Sequence, residues 1–528
     1  MKRHIGITLI LLAAAVTITV LYFKNLNPPG RRTSQIINSI PNTAAFLFEF
    51  DNNGSFNDLY DNSTLISSVT NPEKLKELRI LHRQLLSNRT LRPFFDAQHI
   101  YLSVHPQQQD SLDFLITLSP SKNIAEEINQ LKSQPIPGAH VKNVMIGGKP
   151  GFTITIDSLQ RDFFIINKGN NFYAGSFSKQ LVQESAVYKP KSKKPVYALL
   201  PDQQASNSLA NLYINYQQLQ PLLQSFYKDK NPDLLKALQM LPATATLSLN
   251  YKRDALMFNG FTAIDNSKAV SYISLFKTLK PANNELKDIF PATTAYSWTY
   301  ATANVPQFEK LLTGWQQKAN VTSEKTALFK KIKAETGVNF EQEFNSLLSN
   351  EFAVITTRFQ EKLAIIKIKN GSKLLSYINN ISTLSADELM GQLNYDRLPL
   401  WLLGDAFSSF KRPYFKIIDN YLVLANTPSE INNFYNNYTN RNFLSIGNDY
   451  KAFNDILARQ CNITFFIQFK NAAYLFKQQL KPAFYKVYQQ KYGLSNYYAA
   501  AYQLTASDNE FYTNFCMKIN EQSTSSPN

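Results

Sequence analysis

Leucine spacing marks the first helix of the chain. From Asn71 the sequence reads NPEKLKELRILHRQLL, and Leu75, Leu78, Leu81 and Leu85 recur every three or four residues, which lines one helix face. Asn71 suits the N-cap, Pro72 the first helical position and Glu73 the positive helix end. Elsewhere the period is two. LYINY (Leu212 to Tyr216) and FFIQF (Phe465 to Phe469) place apolar residues at alternate positions, as half-buried strands do. The same reading predicts strands at His99 to Val104 and Leu112 to Leu118, a helix from Asn123 to Leu131, and hairpins from Val141 to Ser176. Strands that cluster in sequence with helices between the clusters predict an α+β fold with mixed, largely antiparallel sheets. There is no regular βαβ alternation and no glycine-rich nucleotide fingerprint.

One pattern is written three times. IPNTAAFLFEF begins at Ile40, LPATATLSLNY at Leu241 and FPATTAYSWTY at Phe290. The first and third lie 250 residues apart. At that offset LDFLITL (Leu112 to Leu118) falls on KLAIIKI (Lys362 to Ile368), and INQL (Ile128) on INNI (Ile378). FFIINKGNNFYAGSFSKQL (Phe163) falls on PYFKIIDNYLVLANTPSEI (Pro413). There two turn dipeptides, Gly169-Asn170 and Asp419-Asn420, coincide, and Leu181 meets Ile431 on a following helix. LYINY meets FFIQF at 253, and MFNGF (Met257) meets FYTNF (Phe511) at 254. Loop insertions give a tandem duplication this small, one-way drift. The middle line aligns with the region Tyr497 to Leu504 and is a later strand of the first copy. The expected division is residues 40–280 and 281–519, two homologous α+β domains, with 520–528 a frayed tail.

Residues 1–23 hold Ile5 to Phe23, a run without charge that as a helix spans about 28 Å, close to the hydrocarbon thickness of a bilayer. Lys2 and Arg3 precede it and Lys24 follows. The run continues past Ala13-Ala14-Ala15, the one small-residue stretch that could be cleaved, so an uncleaved signal-anchor is favoured over a cleaved signal. No cysteine follows it to carry a lipid. Residues 24–39 read as a stalk, opened by Pro28-Pro29-Gly30. The expected location is single-pass, with the body on the periplasmic side.

The chain has 528 residues, too many for one core, and 44% are hydrophobic, a globular balance. Its net charge is +16. An anchored, exported body does not meet nucleic acid, so the charge points to anionic lipid headgroups, envelope glycans or an envelope protein. The densest basic run is KPKSKKP, with Lys189, Lys191, Lys193 and Lys194; as a proline-bracketed stretch it reads first as a solvated loop and second as an anionic-surface contact. Two cysteines, Cys461 and Cys516, are too few for a disulfide framework. They form one bridge in an exported body or two buried thiols otherwise, and the sequence leaves both open.

Short motifs for catalysis fail on context. Ser119 to Lys122 matches S-x-x-K and Ser507-Asp508-Asn509 matches S-D-N, but the first sits at a strand end, the second in a predicted hairpin, and no K-T-G follows. Gly147 to Gly151, GGKPG, has no following helix and reads as a turn. His99 and His105 share a strand face without a fixed third ligand. Glu126 and Glu127 are adjacent on a helix and cannot face one another. The aromatic stretches Asn432 to Phe443 and Tyr492 to Gln503 read as half-buried helix faces before sugar or peptide sites. No cofactor, metal or catalytic residue is expected.

The anchor Ile5 to Phe23, the strand IPNTAAFLFEF and the α+β rhythm resemble an uncharacterised family of signal-anchored bacterial envelope proteins that carry a domain of unknown function. That resemblance implies no activity. The expected function is a membrane-held binding, scaffold or assembly module, with the cleft between two related domains as its natural partner site. The alternatives are a hydrolase acting on envelope polymers, and a lipid or lipopeptide carrier with a long apolar cavity.

Overall fold

The computed structural model describes residues 36–51, 72–96, 98–106, 112–133, 137–169, 171–190, 210–229, 233–251, 254–385, 390–490 and 493–520. The first run of strands is β1 (Phe46–Asp51), β2 (His99–Pro106), β3 (Leu112–Leu118), β4 (Ala139–Ile146), β5 (Lys149–Ile156), β6 (Arg161–Gly169), β7 (Phe172–Ser176), β8 (Ala210–Asn215), β9 (Ala243–Tyr251) and β10 (Ala255–Ile264). A short β11 (Ala282–Asn283) follows. The second run is β12 (Thr294–Ala301), β13 (Leu348–Thr357), β14 (Lys362–Ile368), β15 (Ser382–Leu384), β16 (Gly391–Leu393), β17 (Tyr414–Ile418), β18 (Tyr421–Ala425), β20 (Ile463–Gln468), β21 (Tyr497–Ser507) and β22 (Glu510–Ile519); β19 (Gln460–Cys461) pairs with β11 apart from it.

Every pair is antiparallel. In space the first run lies β4-β5-β6-β7-β3-β2-β1-β8-β9-β10. The second lies β15-β16-β17-β18-β14-β13-β12-β20-β21-β22, which is the same order position for position. β10 pairs with β22, so the two runs close into one sheet of 20 strands. Gly260 sits at this seam. A Cβ there would lie 2.0 Å from the carbonyl of Thr246 in β9, so β9 and β10 can approach this closely only around a glycine.

Turn chemistry falls where the pattern placed it. Gly147 and Gly148, both left-handed, make the two-residue β4–β5 turn, and left-handed Asp508 and Asn509 make the β21–β22 turn. The S-D-N motif is therefore a hairpin. Ser119 is buried after β3, with Ser121 N donating to Phe94 O, so Ser119 and Lys122 are not one helical turn apart. The leucine-lined helix is α1 (Pro72–Leu81), which passes into a π-helical turn at His82–Leu86. Asn71 lies outside the described residues.

Two faces follow from strand alternation. One face carries α3 (Lys179–Val187) over the first run and α9 (Pro428–Thr439) over the second. Leu181 of α3 and Ile431 of α9 are both fully buried, against Leu115, Ile166 and Ala174 in one case and Ile355, Ile365 and Val423 in the other. We call this the outer face. On the inner face α1 and α2 (Ala125–Gln130) cover the first run. α5 (Val305–Lys318), α6 (Thr322–Thr336), α7 (Phe340–Leu347) and α8 (Gly371–Ile378) cover the second. α4 (Leu219–Phe226) and α10 (Phe469–Gln479), the latter followed by α11 (Pro482–Tyr488), fill the seam.

Among the described residues no cleft separates the two runs at this seam, contrary to the expectation of a partner site between two lobes. One inner core runs through both, from Leu212 and Leu247 to Trp298, Phe352 and Phe465. Trp298 Nε1 donates to Leu234 O at 3.0 Å, the Phe226 and Phe484 rings meet edge to face at 4.7 Å, and the buried Tyr216 and Tyr502 hydroxyls bond each other. Burial of such aromatic area is the dominant stabilising contribution at a junction of this kind.

Candidate functional site

Partners directly opposite in a sheet share a face, so the registers can be followed from strand to strand. One row crosses nine strands on the outer face. It runs Tyr101, Glu49, Asn211, Ser248, Asn259, Asn514, Gln503, Thr464 and Thr299. After Tyr101 each member is a carboxylate, an amide or a hydroxyl. The ends are buried; Ser248, Asn259 and Asn514 in the middle are half-exposed. Polar groups in a packed sheet persist when they are hydrogen-bonded, and the two ends show how.

At one end Glu49 is 4% exposed. Tyr101 donates to its Oε1 at 2.6 Å, while Tyr213 (2.5 Å) and Asn211 Nδ2 (3.2 Å) donate to Oε2. Ser248 donates to Asn211 Oδ1 at 3.1 Å and carries the chain of bonds along the row. Burial and the Glu49 charge raise the Tyr213 phenol well above its ordinary value, which keeps it a donor. His99 Nδ1 stands 2.9 Å from Asp51 and 3.4 Å from Glu49. His105, on the same face of β2, is buried between Thr43 (2.9 Å) and Ser103 (2.8 Å), and burial lowers its pKa to about 3, so it is a neutral core histidine. Among the described residues no three His, Cys, Asp or Glu side chains converge as metal ligands.

At the other end Gln503 holds residue 458 with both halves of its amide: Oε1 accepts from Ala458 N at 2.9 Å and Nε2 donates to Ala458 O at 3.0 Å. Asn284 Nδ2 donates to Thr464 Oγ1 at 2.7 Å, and Cys461 Sγ lies 2.9 Å from the same hydroxyl. Beside them Glu351 is fully buried, and its Oε2 accepts from the backbone N–H of Glu285 and of Leu286, each at 2.9 Å. Burial pushes this carboxyl up to about 7, against the two N–H donors and the nearby Lys367 and Lys287. Residues 285 and 286 belong to the connection between the two runs, so Glu351 pins that connection to β13.

Between these ends lies the open stretch. Neither α3 nor α9 covers the seam strands β9, β10 and β22, and the rows beside the polar one add Phe261 and Tyr512 on one side and Met257 and Asn250 on the other. The Phe261 and Tyr512 rings pack edge to face at 5.6 Å, and Asn250 Nδ2 donates to Asn259 Oδ1 at 2.5 Å. Among the described residues the Asn514 amide makes no hydrogen bond. The result is a band of amides and rings, half-exposed and uncharged, at the centre of the sheet. Sequence reasoning missed it because its members come from three separate strands, two of them in one run and the third about 250 residues away; only the pairing registers bring them into line.

The residues singled out from sequence fall elsewhere. Cys461 and Cys516 are free, buried thiols with different surroundings, not a bridge: Cys461 keeps to Thr464 and Asn284, while Cys516 packs with Phe466 and Ala501 and approaches Ile456 O at 3.7 Å. Burial raises the Cys461 thiol to about 11. Lys189 is exposed after α3. Lys191, Lys193 and Lys194 lie outside the described residues, as does the run Ile5 to Phe23. Among the described residues no helix is long and apolar enough to cross a membrane. In the aromatic stretch of α9, Phe434 is core, Tyr438 donates to Asp419 at 2.6 Å, and Lys416 stands over the Tyr435 ring.

Two cavities bear on the alternatives. A groove of about 470 Å³ on the inner side is lined by Glu309, Glu341, Lys369, Asn339, Gln342 and Asn345. Several of its groups are already paired: Glu341 with Lys325 outside the lining at 2.6 Å, Asn339 with Gln342 at 2.9 Å, and Lys369 with Ser346 O at 2.9 Å. An apolar pocket of about 60 Å³ lies among Leu81, Leu85, Phe95, Ile128, Ile154 and Phe163. It is smaller than the cavity of about 150 Å³ that admits benzene, far short of an acyl chain.

No protein-family model and no curated protein matches the chain. Among solved structures, crystal form III of TP0453 is similar over 47% of this chain and 89% of that one, at 13% identity and a TM-score of 0.23. A score that low supports no argument about fold or function.

Proposed function

We propose that this is a membrane-tethered binding or scaffold module without catalytic activity, built from two homologous repeats, residues 40–280 and 281–519. The run Ile5 to Phe23 tethers it, and the body stands outside the cytoplasm. The equal strand order of the two runs and the matching places of Leu181 and Ile431 support the duplication. The observation that carries the binding role is the uncovered band Ser248–Asn259–Asn514 with its flanking rings Phe261 and Tyr512. Amides supply both donors and acceptors, and rings supply flat apolar area. That chemistry favours an uncharged polar partner, an envelope glycan or a peptide segment of an envelope protein.

The test has two parts. Protease added to intact and then to outer-membrane-permeabilised cells should cut the body only after permeabilisation. The full chain, captured from membranes, should retain an envelope glycan or protein that the double variant Asn259→Trp, Asn514→Trp releases while folding normally. A body cut only after cytoplasmic lysis, or equal retention by the variant, overturns the reading.

A further inference from the structure

The positive charge of the chain is not spread evenly. From Ile456 to Ser507 there is no aspartate or glutamate, while Arg459, Lys470, Lys477, Lys481, Lys486 and Lys491 all fall within that stretch. The part of it that leaves the sheet is the pair α10 and α11. α10 buries Phe469, Ala472, Leu475 and Phe476 in the inner core, which turns Lys470, Tyr474, Lys477 and Gln478 outward at helical spacing. α11 buries Tyr488 and exposes Pro482, Ala483, Lys486 and Gln489. Tyr474 is 51% exposed, with its hydroxyl fixed by Gln478 Nε2 at 2.6 Å. Lys228, exposed at the end of α4, joins the same face through Nζ to Gln478 O at 2.7 Å. Lys481 is half-buried and donates to Gln224 O at 2.9 Å, adding its charge at the rim. One acid, the exposed Asp229, stands beside Lys228.

We infer that this face, Lys228, Lys470, Tyr474, Lys477 and Lys486, docks on the anionic phospholipid headgroups of the bilayer. The inference rests on the tethered reading above. Charge complementarity selects the occupant: four exposed ammonium groups flank a tyrosine, a ring suited to the headgroup layer, and among the described residues this face carries no apolar stripe that would insert deeper. The placement has a consequence for the body. α10 lies on the inner side of the sheet, so docking there turns the outer face, with its amide band, away from the membrane and toward other envelope components.

The experiment places an environment-sensitive fluorophore at Tyr474→Cys in the full chain; Cys461 and Cys516 are buried and do not compete for label under native conditions. The chain is reconstituted in nanodiscs of phosphatidylcholine alone or with phosphatidylglycerol. The expected result is a blue shift in the phosphatidylglycerol discs only, reversed by about 0.5 M salt. In vesicle titrations the variant Lys470→Gln, Lys477→Gln, Lys486→Gln should bind on the order of a hundredfold more weakly, about fivefold per lysine. Equal emission in both lipids, an unaltered triple variant that folds normally, or a shift given by soluble polyglutamate or DNA but not by the anionic discs overturns it. Should the chain fail to stay with the discs, the tether has failed instead. Added vesicles of the same two compositions then still decide the docking face.

Discussion

Asn259 faces Asn514 directly across the β10–β22 pair, and both lie on the one polar row that runs from Tyr101 to Thr299. The two runs of strands therefore meet as neighbours in a sheet rather than as lobes around a cleft. What each position in the row does depends on depth. Buried members hold structure; of the half-exposed members Ser248 and Asn259 are bonded within the sheet, and among the described residues the Asn514 amide makes no hydrogen bond.

Gln503 and Asn514 should separate these roles. Gln503→Leu leaves Ala458 N and O unpartnered near the core and should cost about 1–3 kcal/mol. Asn514→Ala should stay within about 0.5 kcal/mol, because nothing in the fold depends on that amide. Urea unfolding of both variants measures the difference.

Glu351 should give a pH dependence of reversed sign for a carboxylate. Its folded pKa is raised, to about 7 from 4.5, so between those values the folded chain keeps a proton that the unfolded chain has released. Its contribution to stability is greatest below about pH 4.5, falls as pH rises toward 7, and is flat above. The total is on the order of a few kcal/mol. Glu351→Gln keeps an amide oxygen for the N–H groups of Glu285 and Leu286 and removes the buried charge. It should be the more stable protein at pH 8, with the advantage vanishing by about pH 5 in paired denaturation curves.

Trp298 tests the shared core. It packs on Phe465 with ring centroids 4.9 Å apart and donates to Leu234 O in the other run. Trp298→Ala should lose about 3–5 kcal/mol. Because one core passes through the seam, calorimetry should show both runs melting together at a lower temperature. Loss of only the second run, in a separate transition, would contradict the shared core.

The thiols give a simple check. Both are buried and free, and Cys461 is raised to about 11, so a thiol reagent at pH 8 should react slowly with the native protein and with two groups per chain after denaturation. The mass of the purified chain should be unchanged by reductant.

Much of the fold can be read from local pattern. LDFLITL and KLAIIKI are β3 and β14 to the residue, and Asp419-Asn420 closes the β17–β18 hairpin with Asp419 in the left-handed region; in the other pair Gly169 is the last residue of β6 and Asn170 lies outside the described residues. The middle proline line forms β9, which holds the same place in its run that β21 holds in the other. The helix at Asn123 to Leu131 is present but shorter, Ala125–Gln130. The amide band was not legible. Ser248, Asn259 and Asn514 are ordinary strand polars in sequence, and no local signal separates them from the polar positions of any half-buried strand.

The chain by itself determined the α+β class, the places of strands and turns, and the repeat of one pattern at a nearly constant offset. These depend on side-chain period and backbone preference, which act over a few residues. Only the tertiary structure decided that β10 pairs with β22, that a core passes through the seam instead of a cleft, that Cys461 and Cys516 stay apart, and that Glu49 and Glu351 are buried with their own donors. Those outcomes depend on which edges and faces meet at long sequence separation. That choice is made by packing and hydrogen-bond satisfaction across the whole sheet, and no short stretch of sequence carries it.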